Sequence, residues 1–559
     1  MGHQGGVIVV GGGAAGMVAA IAAARGGAAV TLLERMPRVG KKLLATGNGR
    51  CNLANANLEL SRYHGADPAF ARAALAAFGL QQTLRFFADL GIAAREEEAG
   101  KIFPRSGQAA SVLDLLRHEM AGLGVETRCE SPVTRLAPRR GLWEVSTVDA
   151  ALRCAAVVLA SGGRASPQLG SNGSGYDLVR PLGHRLIQPF PALTRIRVSS
   201  PFLRHLKGVK IAGRATLVPA GPEHHRGDRI VNDREDAACG EILFTETGLS
   251  GPPILDLSRR AGERAQSGLA TLLRLDLCPE FAPDELRALL RERFAGRRAA
   301  GGDQPRPYDG SRFTGEGSGP SRNNDPHSVG EGSSPSRNND PHSVGEGLIP
   351  SHNNDPHSVG EGLIPSRNND PHSVGEGLIP SRDNDPHSVG EGLILSRNND
   401  PHSVGEGLIP SRNNDPHSAG ERLIPSRTEM SAELALVGFI NKRLIGPVLK
   451  VAGIPDPTVP AAALGIPAIQ AIAAVLKGWR FDVTGTDSWT EAQVTAGGVD
   501  VTGVHPATLE SRLAAGLYFA GEVLDIDGDC GGFNLQWAWS SGHLAGMGAA
   551  GRAGKSLRQ

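Results

Sequence analysis

Cysteine and aromatic residues are scarce in this sequence. It has 6 cysteines among 559 residues, no Cys-x-x-Cys pair, and 4% aromatic residues. Scattered cysteines indicate a reducing compartment and argue against zinc or iron–sulfur ligation, so we predict no metal site. The cysteines are Cys51, Cys129, Cys154, Cys239, Cys278 and Cys530.

The sequence also lacks an excess of charge and a long apolar run. Lysine plus arginine number 58 and aspartate plus glutamate also 58, so bulk charge indicates neither nucleic acid nor an anionic membrane as a partner. No run is long and apolar enough to span a bilayer, and the apolar N-terminus has the glycines of a strand, turn and helix, unlike a signal peptide. We expect a cytoplasmic enzyme with a small-molecule substrate, no nucleic-acid or membrane partner, and an oligomeric state that the sequence does not indicate.

A tandem repeat fills the middle of the chain. The unit "SRNNDPHSVGEGLIP" recurs with a fifteen-residue period in seven copies within residues 316–427. Burying the three apolar side chains of one unit would contribute at most ~5–9 kcal/mol, whereas ordering its backbone costs ~15–30 kcal/mol. Single histidines at this period lack the spacing of metal-ligand pairs. The array is therefore predicted to be a disordered insertion in a protein whose function lies elsewhere.

A glycine-rich turn near the N-terminus is the first motif that carries chemistry. The apolar run 7–10 predicts a buried parallel strand, and "GGGAAG" then places Gly11, Gly13 and Gly16 in G-x-G-x-x-G spacing before an Ala-rich helix. Gly11 permits the tight turn, Gly13 admits a pyrophosphate, and Gly16 allows the helix to pack closely on the strand. A second strand ends at Glu34, where a carboxylate accepts hydrogen bonds from an adenosine ribose. This order predicts a dinucleotide site, and the motif alone does not choose between NAD and FAD.

Beyond Glu34 the chain resembles the HI0933-like (YhiN-type) flavoproteins, a branch of the two-dinucleotide-binding-domain FAD oxidoreductases. "GKKLLATGNGRCN" at 40–52 matches their pattern G-K-K-x-x-x-[ST]-G-x-G-R-C-N, and "GLYFAGEVLDIDGDCGGFNLQWAWSSGHLAG" is the most specific match. The chain departs from the pattern at Asn172 and Ser174, where Thr and Asp are commoner, and at Glu246, where many members have His. A role for that histidine therefore does not carry over.

The resemblance implies FAD as the cofactor and leaves the catalytic residues unidentified. It places the N-terminus of the last helix near the flavin, where the helix dipole would stabilise the reduced ring. Cys51 is the one cysteine predicted beside the cofactor, either as a redox or proton-transfer group or as a small buried hydrophobe. The predicted cofactor-binding residues are Gly11, Gly13, Ala14, Ala15, Gly16, Glu34, Arg35, Lys42, Gly47, Gly49, Arg50, Cys51, Asn52, Ser161, Gly162, Gly521, Glu522, Gly532, Asn534, Leu535 and Gln536.

The predicted fold class is α/β with a discontinuous Rossmann-like FAD-binding domain. A β-rich second domain and a small helical domain complete the chain, and the helical domain carries the insertion. The predicted segments are 1–190 and 485–559 for FAD binding, 191–278 and 479–485 for the β-rich domain, 279–315 and 428–478 for the helical domain, and 316–427 for the insertion.

The resemblance implies an FAD-dependent oxidoreductase that moves hydride through flavin N5 to or from a small molecule bound between the FAD and β-rich domains. The chain has one complete G-x-G-x-x-G unit, so NAD(P)H either binds without a second full dinucleotide domain or is not the reductant. Oxidase and reductase both stay open. Two alternatives are an FAD-binding protein with an RNA-modifying or non-catalytic role, against which the neutral charge counts, and a chain whose folding the array has disrupted.

Overall fold

The computed structural model describes residues 5–220, 236–295 and 430–556, and the predicted disordered array lies outside them. The strands of the described residues are β1 (Val7–Val10), β2 (Val30–Leu33), β3 (Ala54–Asn55), β4 (Tyr63–His64), β5 (Ala94–Glu96), β6 (Lys101–Pro104), β7 (Glu126–Arg128), β8 (Val133–Arg139), β9 (Leu142–Thr147), β10 (Ala151–Cys154), β11 (Ala156–Leu159), β12 (Leu186–Ala192), β13 (Ile196–Ser199), β14 (Lys210–Pro219), β15 (Ala237–Phe244), β16 (Gly248–Ser250), β17 (Thr271–Asp276), β18 (Trp479–Thr486), β19 (Val494–Val499), β20 (Leu517–Phe519) and β21 (Asp527–Gly528). The helices are α1 (Ala14–Arg25), α2 (Lys41–Ala45), α3 (Ala71–Ala77), α4 (Leu80–Asp89), α5 (Ala109–Gly122), α6 (Ser174–Val179), α7 (Leu203–Leu206), α8 (Pro252–Gln266), α9 (Pro283–Ala295), α10 (Ala432–Leu436), α11 (Lys442–Val451), α12 (Ile466–Gly478) and α13 (Phe533–Ser556).

A five-stranded parallel sheet is built from both ends of the chain. Its order is β20-β11-β1-β2-β7. All residues of β1, β2 and β11 are buried, as the continuous apolar runs of a sheet covered on both faces require. The C-terminal strand β20 pairs with β11, so the Rossmann-like part is discontinuous in sequence, and the predicted α/β fold class is confirmed.

Helices α1 and α13 pack with their backbones in close contact. A Cβ atom on Gly542 would lie 2.4 Å from the carbonyl oxygen of Ala15, and one on Gly546 would lie 2.3 Å from that of Ala19. Residues four apart share a helix face, so these two glycines form one seam against the alanines of α1. Since the contacts advance in the same direction along both helices, the helices run parallel and their N-termini point to the same end of the sheet.

The β-rich part is a closed antiparallel barrel of order β13-β16-β15-β14-β17-β18. Its last strand, β18, follows α12, so the chain leaves the barrel after β17 and returns to close it. Alternating residues of β17 are buried, which is the pattern of a strand with one face on a core. The predicted boundaries between the domains stay a prediction.

Helices α9 to α12 share an apolar core with the barrel. Leu286, Leu290 and Phe294 of α9 belong to the same buried cluster as Leu444 of α11 and Ile472 of α12. The Arg293 guanidinium also donates hydrogen bonds to the carbonyl oxygens of Ala435 and Val437, at 2.9 and 3.1 Å. These bonds tie α9 to the chain that follows residues 296–429.

The described residues contain neither a helix suited to span a membrane nor a cluster suited to hold a metal ion. Within residues 5–220, 236–295 and 430–556, no helix combines the length and apolarity that crossing a bilayer requires. Over the same ranges, no three His, Cys, Asp or Glu side chains are grouped so as to hold a metal ion.

Deleting the array tests whether it is an insertion. We expect a chain without residues 316–427 to keep its free energy of unfolding or to gain about 1–2 kcal/mol, because a shorter connection between α9 and α10 costs less entropy to close. Thermal unfolding followed by circular dichroism measures this. A clear loss of stability would show that the array contributes contacts to the fold.

The helix seam is tested by adding a side chain to it. Gly546→Leu should lower the free energy of unfolding by about 1–3 kcal/mol, because the new side chain meets the backbone of α1. Gly551→Leu is the matched control in the same helix, since a Cβ there meets nothing within 4 Å. Equal unfolding midpoints for the two variants would contradict the close packing of α1 and α13.

Candidate functional site

A cleft of about 1320 Å³ lies at the carboxyl ends of the parallel strands and extends to the barrel. The residues that follow four strands line it: Gly11 after β1, Glu34 after β2, Ser161 after β11 and Gly521 after β20. Ligands of open α/β sheets bind outside this edge, where the loops after the strands converge. The topology therefore places the predicted dinucleotide motif at a cleft.

The three glycines of the G-x-G-x-x-G unit have different surroundings. Gly11 has φ +107°, and a Cβ on it would lie 2.5 Å from the carbonyl oxygen of Ala160. A Cβ on Gly16 would lie 1.8 Å from the carbonyl oxygen of Gly11, so Gly16 serves the packing of α1 on β1. A Cβ on Gly13 meets nothing within 4 Å. Gly13 therefore leaves open space at the N-terminus of α1, whose first turn has no acidic residue to oppose an anion.

Glu34 is buried and held at the floor of the cleft. Its Oε2 accepts a hydrogen bond from the backbone N–H of Gly12, and its Oε1 accepts one from Met36, both at 2.7 Å. Each carboxylate oxygen has a second lone pair. The side chain is thus fixed in place and still able to accept a ribose hydroxyl.

An ion pair connects the two ends of the chain across the cleft. Lys42 Nζ lies 2.8 Å from Glu522 Oε2, and Glu522 Oε1 accepts the backbone N–H of Thr495 at 2.9 Å. Behind this pair, Ser541 and Trp537 of α13 bond the backbone of Gly521 at 2.8 and 3.2 Å. Lys42, a predicted cofactor-binding residue, is therefore neutralised by a carboxylate, and α13 holds the turn that carries that carboxylate.

Arg50, another positively charged residue among the predicted cofactor-binding residues, is also paired. Its guanidinium lies 4.0 Å from the centroid of the Phe103 ring and bonds the Glu97 carboxylate. Stacking and pairing hold the flat guanidinium in one orientation beside the cleft.

The loop before α13 is closed by a side-chain amide. Asn534 Oδ1 accepts the backbone N–H of Gly528 at 2.8 Å, and its Nδ2 donates to the carbonyl oxygen of Gly528 at 2.7 Å. Gly532 has φ +107°, and a Cβ there would lie 2.5 Å from the carbonyl oxygen of Ala54. The loop is consequently rigid, and it presents the N-terminus of α13 to the cleft.

Most of the predicted cofactor-binding residues line the cleft, and their contact with a cofactor stays a prediction. Gly49 is exposed and does not line the cleft, and Gln536 is fully buried, donating to the carbonyl oxygen of Phe78 and the hydroxyl of Thr83. The predicted residues away from the cleft are Gly16, Gly49, Cys51 and Gln536. Those that line it are Gly11, Gly13, Ala14, Ala15, Glu34, Arg35, Lys42, Gly47, Arg50, Asn52, Ser161, Gly162, Gly521, Glu522, Gly532, Asn534 and Leu535.

The cysteine that lines the cleft is not the one that the sequence singles out. Cys51 is fully buried, and burial raises the pKa of its thiol to about 12 despite a hydrogen bond with Thr46. Cys530 is half-buried and lines the cleft. Cys530 directly precedes Gly531 and Gly532, which open the last helix. This position in the sequence could have identified Cys530 as a residue of the cleft.

The barrel and the segments next to it also contribute apolar residues to the cleft lining, and we call the part of the cleft that they line the chamber. Sequence reasoning did not identify these residues. The chamber residues Leu193, Leu243, Pro252, Leu255 and Val494 line it. They come from distant segments, which only the folded chain brings together. The chamber extends the dinucleotide site with an apolar wall.

The residues of the cleft fit FAD. A typical pocket for a small ligand has roughly 300–1,000 Å³, so the cleft has room for a dinucleotide and a substrate. The open N-terminus of α1 at Gly13 suits a diphosphate, and the fixed carboxylate of Glu34 suits a ribose. The N-terminus of α13 offers a second positive helix end for the ring system.

Residues 5–548 match the family described as HI0933-like protein Rossmann domain. The chain belongs to this family. A 3-dehydro-bile acid delta(4,6)-reductase of Clostridium scindens is 30% identical over 523 residues, covering 94% of this chain and 93% of the relative. A ribosomal RNA dihydrouridine synthase of Escherichia coli is 24% identical over 514 residues, covering 92% of this chain and 90% of the relative.

Among solved structures, the open conformation of a flavocytochrome c3 fumarate reductase is similar, with a TM-score of 0.37 and 14% identity over 98% of this chain and 78% of that one. Family membership confirms the prediction of an FAD-dependent oxidoreductase with a Rossmann-like domain. The substrate and the use of NAD(P)H stay predictions.

The open space at Gly13 gives a test of FAD binding. Gly13→Leu should keep the unfolding midpoint of the FAD-free protein and weaken FAD binding at least about tenfold, because the side chain takes the place of the diphosphate. Gly122→Leu is the control, since a Cβ at this exposed glycine of α5 also meets nothing within 4 Å. Fluorescence titration of the apoprotein with FAD measures the affinity, and equal affinities would place the diphosphate elsewhere.

Proposed function

We propose that the chain reduces a carbon–carbon double bond conjugated with a carbonyl group, in an apolar cyclic molecule that binds in the chamber. Bound FAD, once reduced, would supply the hydride for this reduction. The substrate lies between the nucleotide-binding turns and the barrel.

The apolar chamber is the observation that carries the proposal. Leu193, Leu243 and Leu255 give this end of the cleft an apolar wall, and a molecule that covers the wall removes its surface from water. Lys210 and Glu241 are cleft-lining charges from the barrel, and they pair with each other at 2.8 Å. Because these two charges neutralise each other, the pair adds no net charge to the chamber, which supports an apolar substrate.

The names of the relatives support the same reaction class. One is a 3-dehydro-bile acid delta(4,6)-reductase and another a ribosomal RNA dihydrouridine synthase. An unsaturated ketone and a uracil ring both carry a double bond conjugated with a carbonyl group. The proposed chemistry is thus shared, and the apolar residues of the chamber support the apolar substrate.

The protein's own groups orient the reactants and exclude water. The Asn534 amide and Gly532 fix the loop that leads into α13, and the α13 N-terminus favours negative charge that develops in front of it. The Lys42–Glu522 pair lines the same cleft. These groups are held before a substrate arrives, so little reorganisation accompanies binding.

Anaerobic reoxidation tests the proposed function. Purified protein should show the absorption bands of bound flavin, which dithionite bleaches. We expect a 3-oxo-4-ene steroid, added without air, to restore the bands and to yield the saturated ketone. The saturated analogue of the same steroid is the control and should leave the protein bleached.

Two further additions separate the alternatives. Bleaching by NADH or NADPH in place of dithionite identifies the hydride donor. If a uridine-containing ribosomal RNA fragment reoxidises the flavin and the steroid does not, the substrate is RNA and the proposed apolar substrate is wrong. A folded protein without flavin absorption bands would contradict the assignment of the chain as an FAD-dependent oxidoreductase.

A further inference from the structure

Cys530 lines the cleft between the N-terminus of α13 and helix α8, which packs on the barrel. It is half-buried, lines the cleft, and stands three residues before the first residue of α13. Gly531 is fixed by its carbonyl oxygen, which accepts Asn55 Nδ2 at 2.9 Å. The thiol therefore sits on a rigid loop beside the helix end that is expected to face the flavin ring, and beside the barrel wall of the cleft.

Asp256 of α8 approaches the same loop from the barrel. Its Oδ1 accepts the backbone N–H of Cys530 at 2.6 Å. Leu255, the preceding residue, is part of the apolar chamber. The same turn of α8 therefore lines the cleft and also carries the carboxyl group that bonds Cys530. The bond holds the carboxyl group next to Cys530 in a half-buried setting.

Four other charged or titratable groups act on this pair. Asp529 lines the cleft, and its carboxylate lies 2.6 Å from His64 Nε2 and 3.4 Å from Arg62 Nη1. Lys101 of β6 also lines the cleft and lowers the pKa of the Cys530 thiol. Asp529 is paired to His64 and Arg62, whereas Asp256 bonds the backbone N–H of Cys530 itself and contributes more than Asp529 to the raised pKa of its thiol.

We propose that the Cys530 thiol is the proton donor to the substrate and that the Asp256 carboxyl group behind it restores the proton. This assignment rests on the proposed function, because reduction of a conjugated double bond needs one proton for each hydride. The carbon next to the carbonyl group receives that proton from the side of the cleft that Cys530 lines.

The proton step balances without a further reactant. After one carbon has gained a hydride, the neighbouring carbon and the carbonyl group share the negative charge as an enolate. The S–H bond of Cys530 breaks as the new C–H bond forms, and the enolate becomes a ketone. The Cys530 thiolate then takes the proton of Asp256, and the Asp256 carboxylate regains a proton from water.

The acidities of the two groups are ordered for this relay. Burial, and next the charge of Asp256, raise the pKa of the Cys530 thiol to about 11. Burial raises the pKa of Asp256 to about 7, with the N–H of Cys530 opposing the rise and Asp529 adding to it. An enolate is a stronger base than a thiolate, so the proton moves from the Cys530 thiol to the enolate. The thiolate is in turn a stronger base than the Asp256 carboxylate, so the proton of Asp256 moves to Cys530. The supply of protons from Asp256 is full below a pH of about 7 and is lost as the pH rises through it.

Alkylation of the thiol tests the pairing without any substrate. The rate of Cys530 modification by iodoacetamide, followed by peptide mapping of the whole chain, is measured against pH. In Asp256→Asn the apparent pKa of the thiol should fall, because a neighbouring negative charge has been removed. Cys239, an exposed cysteine of β15, is the internal control and should not change. An unchanged pKa at Cys530 would contradict the coupling.

Deuterium labelling tests the proton donor itself. Dithionite-reduced holoenzyme is mixed in D₂O with a 3-oxo-4-ene steroid for a single turnover without air. Wild-type protein and Cys239→Ala should place deuterium next to the carbonyl group in one configuration. Cys530→Ala should turn over at least about tenfold more slowly and give both configurations, because water then delivers the proton from either face. Cys530→Ser, a weaker acid of similar shape, should keep the single configuration at a reduced rate.

The outcomes separate this assignment from the proposed function. If the steroid does not reoxidise wild-type protein, the proposed function fails and the proton-donor role falls with it. If wild-type protein turns over and Cys530→Ala matches it in rate and configuration, the proton-donor role alone is wrong. The same circular dichroism spectrum and flavin content in all variants show that a lost configuration does not come from misfolding.

Discussion

The backbone contact between α1 and α13 is the constraint on which the site depends. Gly542 and Gly546 let the last helix lie against Ala15 and Ala19 of the first, at distances that leave no room for a Cβ. Parallel packing brings both helix N-termini to the carboxyl edge of the sheet. Two positive helix ends then face one cleft, which is the electrostatic setting that a diphosphate and a reduced flavin ring require.

The rest of the site follows from this contact. Through Ser541 and Trp537, α13 holds the Gly521 turn, and Glu522 on that turn pairs with Lys42 from the other end of the chain. The rigid loop before α13 carries Cys530 towards Asp256 of the barrel. The nucleotide site, the substrate chamber and the proposed proton relay thus meet around a single helix end.

Local sequence patterns predicted the parts of this arrangement that depend on neighbours in sequence. The apolar run 7–10, the glycines after it and the acid at Glu34 require a strand, a turn and a second strand, and the fold contains them. Resemblance to a family supplied the join between the chain ends. The chamber around Leu243 and the Asp256–Cys530 bond were not predicted, because each needs contacts between segments far apart in sequence.

A crystal structure of the purified, flavin-containing protein is the most direct test of the central claim that both chain ends surround one FAD. The account predicts the FAD diphosphate at the N-terminus of α1, beside Gly13, and the isoalloxazine ring at the N-terminus of α13, within reach of Cys530. An FAD molecule bound elsewhere, or termini of α1 and α13 that do not share its cleft, would contradict it.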